Sequence, residues 1–225
     1  MSEEYYSKKL SANKLKKCYD IASPRIRQYL EAEIQYTLKF IHSNSIALEL
    51  GCGYGRVLKR IASKAKLAYG IDNSKESLQF ARKYLENYSN IKLFEMNVKE
   101  LSFEKNYFDC VIVIQNGISA FKVDPHLLIK ESIRVTKIGG KIILSSYSEK
   151  IWKERLEWFI EQAKVGVLGE IDLEKSHDGI IIGKDGFKAT TFLKEDFEKI
   201  ILELNLSATI EEIDDSSIFC VISVK

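Results

Sequence analysis

Residues 47–56, ALELGCGYGR, place three glycines within five positions directly after a short apolar run. A glycine-rich turn between a strand and a helix lets a ligand approach the backbone closely, because no Cβ atom stands in the way. The dinucleotide fingerprint G-x-G-x-x-G would need its third glycine at position 56, which is Arg56. A phosphate-binding P-loop is excluded as well, because no Gly-Lys-Ser/Thr follows. The loop therefore predicts a ligand that presents something other than a pyrophosphate to these glycines.

The apolar pattern around this loop predicts strands alternating with helices. The predicted strands are 46–50, 67–71, 91–95, 109–115 and 141–146, and the predicted helices are 24–42, 56–64, one that opens at 73–76, and 125–137. We expect Gly139 and Gly140 to end the last of these helices. Strand 109–115, DCVIVIQ, is nearly all apolar, as is typical of a parallel strand buried on both faces.

The second half of the chain predicts a closing unit after the fifth strand. A helix at 150–164 is followed by an irregular, glycine-rich region at 165–192, a helix at 194–206, and strands at 208–213 and 218–224. The short link DDSS makes these last two strands an antiparallel pair, and the residues at 183–186, GKDG, predict a hairpin within the irregular region. The fold class is therefore α/β: a Rossmann-like, doubly wound, seven-stranded sheet with an antiparallel last strand, N-terminal helices and an insertion after the fifth strand.

Composition and charge exclude several classes of protein. The 34 basic and 32 acidic side chains are interspersed, which gives no clustered basic face for a nucleic acid. The four cysteines show no C-x-x-C pair, and with only three histidines no metal site is predicted. Scattered thiols beside apolar segments indicate a reducing, cytoplasmic compartment. No signal region and no apolar run of about 18 residues is evident, so we expect no membrane segment.

Two polar residues follow the strands next to the glycine loop. In a doubly wound sheet the ligand lies beyond the carboxyl ends of the strands, where the strand order reverses. Asp72 closes the second strand, and its two carboxylate oxygens suit a pair of ribose hydroxyls. Asn97 follows the third strand, where its amide can meet the edge of a base. The predicted ligand therefore carries a ribose and a base.

These residues resemble a known family. Residues 49–55, ELGCGYG, are similar to the E/D-x-G-x-G-x-G motif of class I S-adenosylmethionine-dependent methyltransferases. The resemblance continues through YGIDNS (69–74), EMNVKELSF (95–103), FDCVIVIQNGI (108–118) and RVTKIGGKIILSS (134–146), and the closing hairpin fits the family's reversed seventh strand. It covers about residues 46–146. The family usually has Asp where Asn97 stands, but an amide can still accept from an adenine amino group.

The resemblance implies that S-adenosylmethionine is the cofactor and S-adenosylhomocysteine the product. The implied cofactor-binding residues are Glu49, Gly51, Cys52, Gly53, Gly55, Asp72, Asn73, Asn97, Val98 and Gln115. Asp72 takes the ribose position, Asn97 and Val98 take the adenine position, and Glu49 orients the loop and the amino group of the cofactor. Simpler roles remain open: the glycines as a tight turn, Asp72 as a helix cap, Asn97 as a turn residue, Glu49 as a brace of the loop, and Arg56 as a solvated charge.

The catalytic residues are not identified by the sequence. Methyl transfer is an in-line displacement, and a base is needed only if the nucleophile carries a proton at neutral pH. The candidates are His177 in the glycine-rich region, His126 early in the helix after the fourth strand, and Tyr19, which resembles an aromatic position where the family's N-terminal helix covers the cofactor. His42 ends an N-terminal helix and is interpreted as structural.

The acceptor is predicted to be a small molecule. The D/N-P-P-Y/F motif of amino-group methylation on nucleobases is missing, because QNGI occupies 115–118. Methylation of a protein, a noncatalytic cofactor-binding regulator, and an NAD-dependent oxidoreductase remain as alternatives. We expect a single methyltransferase domain over 1–225, with a helical cap (1–42), a cofactor-binding core (43–148), an insertion (149–192), and a last helix with the closing hairpin (193–225). The insertion is expected to form a wall or lid of the acceptor pocket, with a surface excursion as the alternative.

Overall fold

A computed structural model describes residues 12–225. Its central sheet has seven strands: β1 Ile46–Leu50, β2 Leu67–Asp72, β3 Ile91–Glu95, β4 Phe108–Val113, β5 Thr136–Tyr147, β8 Ser207–Ile213 and β9 Ser217–Ser223. They lie in the order β3-β2-β1-β4-β5-β9-β8. The first five pair in parallel, and β9 runs antiparallel to both of its neighbours. The predicted doubly wound sheet with a reversed last strand is confirmed.

Eight α-helices of the described residues surround the sheet. They are α1 Ala12–Asp20, α2 Pro24–Leu38, α3 Arg56–Ala62, α4 Lys75–Tyr84, α5 Gly117–Ala120, α6 Pro125–Val135, α7 Trp152–Lys164 and α8 Lys194–Glu203. Two predicted helix starts are confirmed: the Ser23 hydroxyl accepts from the Ile26 N–H before α2, and the Ser74 hydroxyl accepts from the Ser77 N–H before α4. Among residues 12–225, no helix has the length and apolar character needed to cross a membrane.

The sheet is buried on both faces, as its apolar strands require. On one face, alternate side chains such as Leu48 and Val111 pack with α6 and α8. On the other face, Ala47 and Ile112 pack with α3 and α4. A third apolar cluster joins α1, α2 and α7 to residues 167–189. The N-terminal helices and the insertion thus pack on each other beside one end of the sheet.

The insertion has more order than predicted. Its hairpin pairs β6 Ile181–Ile182 with β7 Lys188–Ala189, which confirms the turn predicted at 183–186. Ile181 and Phe187 are fully buried in the third cluster. Residues 165–192 are therefore a packed element of the fold and not only an irregular excursion.

The Gly139-Gly140 pair does not end a helix, so this prediction was wrong. Helix α6 ends at Val135 and β5 begins immediately at Thr136, which leaves both glycines inside the strand. The register between β4 and β5 shifts here, because Phe108 pairs with Thr136 while Cys110 pairs with Lys141. The glycines form the irregular start of the strand. Other predicted ends differ by a few residues: helices 24–42, 56–64 and 194–206 end at Leu38, Ala62 and Glu203, and strand 109–115 ends at Val113.

Alanine at Gly140 is expected to destabilise the fold more than alanine at Gly139. A Cβ atom on Gly140 would lie 2.8 Å from the Lys137 carbonyl oxygen and 2.9 Å from that of Asp109, so backbone must move, at a cost of about 3 kcal/mol. Gly139 has φ +80° with open space around it, so its alanine variant loses only about 1 kcal/mol to the left-handed backbone. Urea unfolding of both variants measures the difference, and equal losses would contradict this account of the register shift.

Candidate functional site

The glycine loop joins β1 to α3 through left-handed backbone. Gly51 has φ +72° and Gly53 has φ +54°, which L side chains rarely adopt. A Cβ atom on Gly51 would lie 2.5 Å from Cε1 of Phe121, and one on Gly53 would lie 2.7 Å from Cδ2 of Leu15. The loop is therefore closely covered by α1 on one side and by the end of α5 on the other.

A cavity of about 220 Å³ lies beside this loop at the carboxyl ends of β1 to β4, and we call it the larger cavity because a smaller one of about 90 Å³ adjoins it. It brings together seven of the ten predicted cofactor residues: Gly51, Gly53, Asp72, Asn73, Asn97, Val98 and Gln115. Apolar side chains complete the walls, among them Leu15, Met96 and Phe121. The carboxyl ends of β1 to β4 thus all contribute polar groups to the larger cavity.

Asp72 is held in place by two backbone groups. Its Oδ2 accepts from the Gly53 N–H at 2.8 Å, and its Oδ1 accepts from the Ser74 N–H at 2.8 Å. Burial raises the pKa of this carboxyl, and the two hydrogen bonds oppose that effect. A carboxylate offers about four acceptor sites, so two remain after these bonds. Asp72 therefore fixes the loop and still has acceptor capacity at the cavity.

Asn97 also has a local partner. Its Oδ1 accepts from the Lys99 N–H at 2.9 Å, so the side chain forms a turn as well as lining the larger cavity. Val98, next to it, is buried against the main core.

Three predicted cofactor residues lie behind the loop and do not line the cavity. The Cys52 N–H donates to the Ile71 carbonyl at 2.9 Å, and the Gly55 N–H donates to the Cys52 carbonyl at 2.8 Å. These two residues therefore shape the loop. The third, Glu49, is buried, and its Oε2 has no hydrogen-bond partner within residues 12–225. Burial raises the pKa of Glu49 to about 8, while the Arg56 charge acts in the opposite direction.

Arg56 differs from the expected solvated charge. Its guanidinium lies over the ring of Tyr19, 4.6 Å from the centroid, and the Nε and Nη2 atoms are buried without a hydrogen-bond partner in the described chain. Tyr19 belongs to α1, which is remote in sequence, so this contact could not be predicted from the residues around Arg56. Glu49 and Arg56 together place a buried carboxyl group and a guanidinium group behind the glycine loop.

A second cavity of about 90 Å³ adjoins the larger one, and we call it the aromatic cavity. It shares Leu15, Tyr19, Gln115 and Ala120 with the larger cavity. Its other walls come from α2, β5 and α7 and include Tyr29, Tyr147, Trp158 and Phe159, with polar groups from Asn116, Arg155 and Gln162. At the junction, the Tyr19 hydroxyl donates to Gln115 Oε1 at 2.9 Å. Sequence reasoning missed this cavity, since its walls lie on elements far apart in the chain.

Of the three catalytic candidates, only Tyr19 lies at the cavities. The side chain of His177 is 66% exposed, and its Nδ1 lies 2.9 Å from Oδ2 of Asp178. His126 contacts Asp124 and Glu203 on the outside of the sheet. Neither histidine lines the larger or the aromatic cavity, and His42 is exposed.

The insertion contributes one wall of the aromatic cavity through its end. Ala189 lines the cavity, the Thr190 carbonyl accepts from Asn116 Nδ2 at 2.7 Å, and Thr191 Oγ1 accepts from Arg155 Nη1 at 2.5 Å. These bonds tie the insertion to the end of β4 and to α7. The bonds of residues 190 and 191 fix the position of Ala189 in this wall, and the rest of the hairpin packs in the third apolar cluster.

Comparisons with known proteins agree with this geometry. Residues 47–140 match the model of a methyltransferase domain. A demethylmenaquinone methyltransferase from Bacillus licheniformis is 33% identical over 113 residues, which are 48% of this chain and 47% of the relative. The chain thus spans about half the length of the relatives that it matches in sequence.

Solved structures match over almost the whole chain. The protein PH0226 from Pyrococcus horikoshii is 22% identical with a TM-score of 0.68, covering 99% of both chains. The N-methyltransferase NodS from Bradyrhizobium japonicum, solved with S-adenosyl-L-homocysteine, is 15% identical with a TM-score of 0.62, covering 98% of this chain and 97% of that one. The fold is therefore the Rossmann-like methyltransferase fold.

The matched residues 47–140 contain the glycine loop, Asp72, Asn97 and the end of β4, which are the groups around the larger cavity. The matched part of the chain is therefore similar to methyltransferase domains, and its fold is the one that S-adenosylmethionine-dependent methyltransferases of known structure adopt.

Proposed function

We propose that this chain transfers a methyl group from S-adenosylmethionine to a small-molecule acceptor bound in the aromatic cavity. The observation that carries the proposal is the junction of the two cavities at Tyr19 and Gln115. One cavity presents the polar strand ends of a nucleoside site, and the other presents aromatic walls. Two ligands bound in them would meet at this junction.

The residues of the larger cavity fit the cofactor. Asp72 would accept from the ribose hydroxyls through its remaining acceptor sites, and Asn97 with Val98 would contact the adenine. The backbone of Gly51 and Gly53 would lie against the amino-acid end, because both glycines line the cavity and carry no Cβ atom.

The carboxyl group of Glu49 and the guanidinium of Arg56 suit the two charged groups at that same end of the cofactor. The buried, unpartnered Oε2 of Glu49 would receive the cofactor's ammonium, and the buried guanidinium nitrogens of Arg56 would receive its carboxylate. Cys52 and Gly55 would act through the shape of the loop. When bound, the cofactor supplies an electrophilic methyl group on a sulfonium.

The protein's own contribution is positioning and the exclusion of water. Displacement at the methyl carbon requires the acceptor atom in line with the breaking bond, so rigid walls raise the rate. Tyr29, Trp158 and Phe159 are buried and hold the aromatic cavity in one shape. The third apolar cluster, which joins α1, α2, α7 and the insertion, supports these walls.

A small acceptor fits this cavity better than a macromolecule. A volume of about 90 Å³ lined by buried side chains holds about one ring and leaves no groove for a polypeptide. The interspersed charges with a net charge of +2 give no surface for nucleic acid. The matched relative's name gives demethylmenaquinone, a small molecule, as its substrate. We also propose that residues 1–225 act as one domain in the cytoplasm, which is consistent with four buried free cysteines.

The test begins with calorimetric titration of S-adenosylmethionine and of NADH. Binding of the first and not the second is expected, and the reverse would support an oxidoreductase instead. The protein is then incubated with methyl-labelled cofactor and a metabolite extract, and mass spectrometry identifies the labelled product. Label in a small molecule supports the proposal, and label in protein supports the alternative acceptor. Tight cofactor binding without label in any fraction would identify a noncatalytic regulator.

A further inference from the structure

Three buried polar atoms surround the aromatic cavity without a hydrogen-bond partner among residues 12–225. They are Tyr29 Oη, Glu33 Oε2 and Gln115 Nε2. Tyr29 and Gln115 line the cavity, and Glu33 lies one helical turn from Tyr29 on the same face of α2. A buried polar group without a partner costs about 1–3 kcal/mol, so the unpartnered atoms of Tyr29 and Gln115 at the cavity wall indicate a ligand that satisfies them.

The partners already in place define what each atom offers. Gln115 Oε1 accepts from Tyr19, which leaves the amide nitrogen as a donor. Glu33 Oε1 accepts from Ser145 Oγ at 2.5 Å, and Ser145 Oγ accepts from the Gln115 backbone N–H at 3.0 Å. Tyr29 lies close enough to Glu33 and to Tyr147 to interact with both, and with a ligand bound, a Tyr29 hydroxyl that donates to Glu33 would present its oxygen to the cavity. The site thus offers one donor, Gln115 Nε2, and one acceptor, Tyr29 Oη.

A hydroxyl group satisfies both atoms and keeps a lone pair for the reaction. Its O–H donates to Tyr29 Oη, one oxygen lone pair accepts from Gln115 Nε2, and the other attacks the methyl group. An ammonium has no acceptor, and an amine has a single lone pair, which the attack consumes. An amine acceptor would leave Gln115 Nε2 unpaired at the moment of transfer.

We propose that the acceptor is a small planar molecule of the phenol class, methylated on oxygen, with Tyr29 receiving the hydroxyl proton and Glu33 acting through Tyr29. This inference rests on the proposed function. The aromatic walls and the volume of about 90 Å³ select a single ring.

The step balances in atoms and charge. The C–O bond forms as the bond from the methyl carbon to the cofactor's sulfur breaks, and that electron pair stays on sulfur. The hydroxyl proton moves to Tyr29 Oη while the Tyr29 proton moves to Glu33. The Glu33 carboxylate ends as a neutral acid, and the positive charge of the sulfonium is lost.

The surroundings of Glu33 suit this role near neutral pH. The titratable and charged groups that face the Tyr29–Glu33 pair are Tyr147 from β5, Tyr19 from α1 and Arg56 from α3. Arg155 from α7 lies over the Tyr147 ring at 4.1 Å. Burial raises the pKa of Glu33 to about 7, while its bond to Ser145 and the Arg56 charge act against that rise. A carboxylate of this kind is a base matched to neutral pH.

The test measures phenol and anisole binding by NMR titration of the protein saturated with S-adenosylhomocysteine. Phenol is expected to bind about 10-fold more tightly than anisole, which lacks the donor hydrogen. Tyr29→Phe is expected to remove this preference. Phenol affinity should fall several-fold as the pH drops below about 7, because protonated Glu33 no longer accepts from Tyr29, and Glu33→Gln should abolish that dependence.

Tyr36→Phe is the matched control, because it removes a tyrosine hydroxyl from the same helix. Tyr36 Oη donates to Glu211 Oε1 at 2.7 Å, away from the cavity, so the preference for phenol should persist. With labelled S-adenosylmethionine, label is expected on phenol and not on aniline. Label on aniline, equal binding of phenol and anisole, or phenol binding without methylation each overturns the inference. Failure of S-adenosylhomocysteine to bind would instead remove the proposed function itself.

Discussion

Replacing Asp72 with alanine is expected to weaken S-adenosylmethionine binding about 100-fold. Two hydrogen bonds from the ribose to a charged group together contribute about 3 kcal/mol or more, which corresponds to this factor. The variant also releases the Gly53 N–H from Oδ2, so the loop loses an anchor at the same time. Calorimetry on the purified variant, with circular dichroism to show that it is folded, measures the effect.

Asp109→Ala is the matched control for this variant. Asp109 also holds a strand backbone, because its Oδ2 accepts from the Ile46 N–H at 2.7 Å and its Oδ1 accepts from Lys137 at 2.7 Å. It lies near the start of β4, whereas the larger cavity lies at the carboxyl ends of the parallel strands, at the opposite end of the sheet. Cofactor affinity should stay within about twofold of the wild type. An equal loss in both variants would show that Asp72 acts only through folding.

Glu49→Gln is expected to remove a proton release that accompanies cofactor binding. With its pKa raised to about 8 by burial, the Glu49 carboxyl is mostly protonated at pH 7 in the free protein. An ammonium bound beside it favours the ionised form, so binding at pH 7 should release close to one proton, and affinity should rise from pH 6 to pH 8. Titrations in buffers of different ionisation enthalpy count the protons, and Glu31→Gln, at an exposed carboxyl, should leave the count unchanged.

The same substitution is expected to stabilise the free protein at alkaline pH. The pKa of Glu49 is higher in the folded state than its ordinary value of 4.5, so its ionisation takes stability away as the pH rises from about 4.5 to about 8. Urea unfolding at pH 9 should therefore show Glu49→Gln more stable than the wild type by about 5 kcal/mol, with a smaller gain of about 2 kcal/mol at pH 6. If Glu49→Gln and the wild type were equally stable at pH 6 and at pH 9, Glu49 would already be ionised in the folded protein at neutral pH.

Local patterns predicted the sheet and most of the larger cavity. The glycine loop and Asp72 lie at the ends of strands, and the ends of strands can be predicted from the apolar runs in the sequence. The aromatic cavity was not predictable in this way, because Tyr29 and Trp158 meet only after α2 and α7 pack together. Arg56 was misjudged for the same reason, since Tyr19 covers it from a remote helix.

The glycine pair and His177 show a second limit of sequence reasoning. Gly139 and Gly140 look like a helix stop, yet pairing with β4 and β9 extends β5 across them. His177 lies in a glycine-rich region, and only the packing of Ile181 and Phe187 shows that this part of the insertion is turned away from both cavities. Tertiary contacts decided both outcomes.

Helix α1 would couple the two proposed binding events, because it contributes to the walls of both cavities. Its residues Leu15 and Tyr19 line both cavities at once. The hydrogen bonds that hold the helix include those from Ala12 N–H to Ser77 Oγ, from Lys17 Nζ to the Val165 carbonyl, and from Trp158 Nε1 to the Cys18 carbonyl. A ligand in one cavity that favours a particular position of α1 therefore changes the volume available to a ligand in the other cavity. Thermodynamic reciprocity then requires that each ligand change the affinity of its neighbour by the same factor.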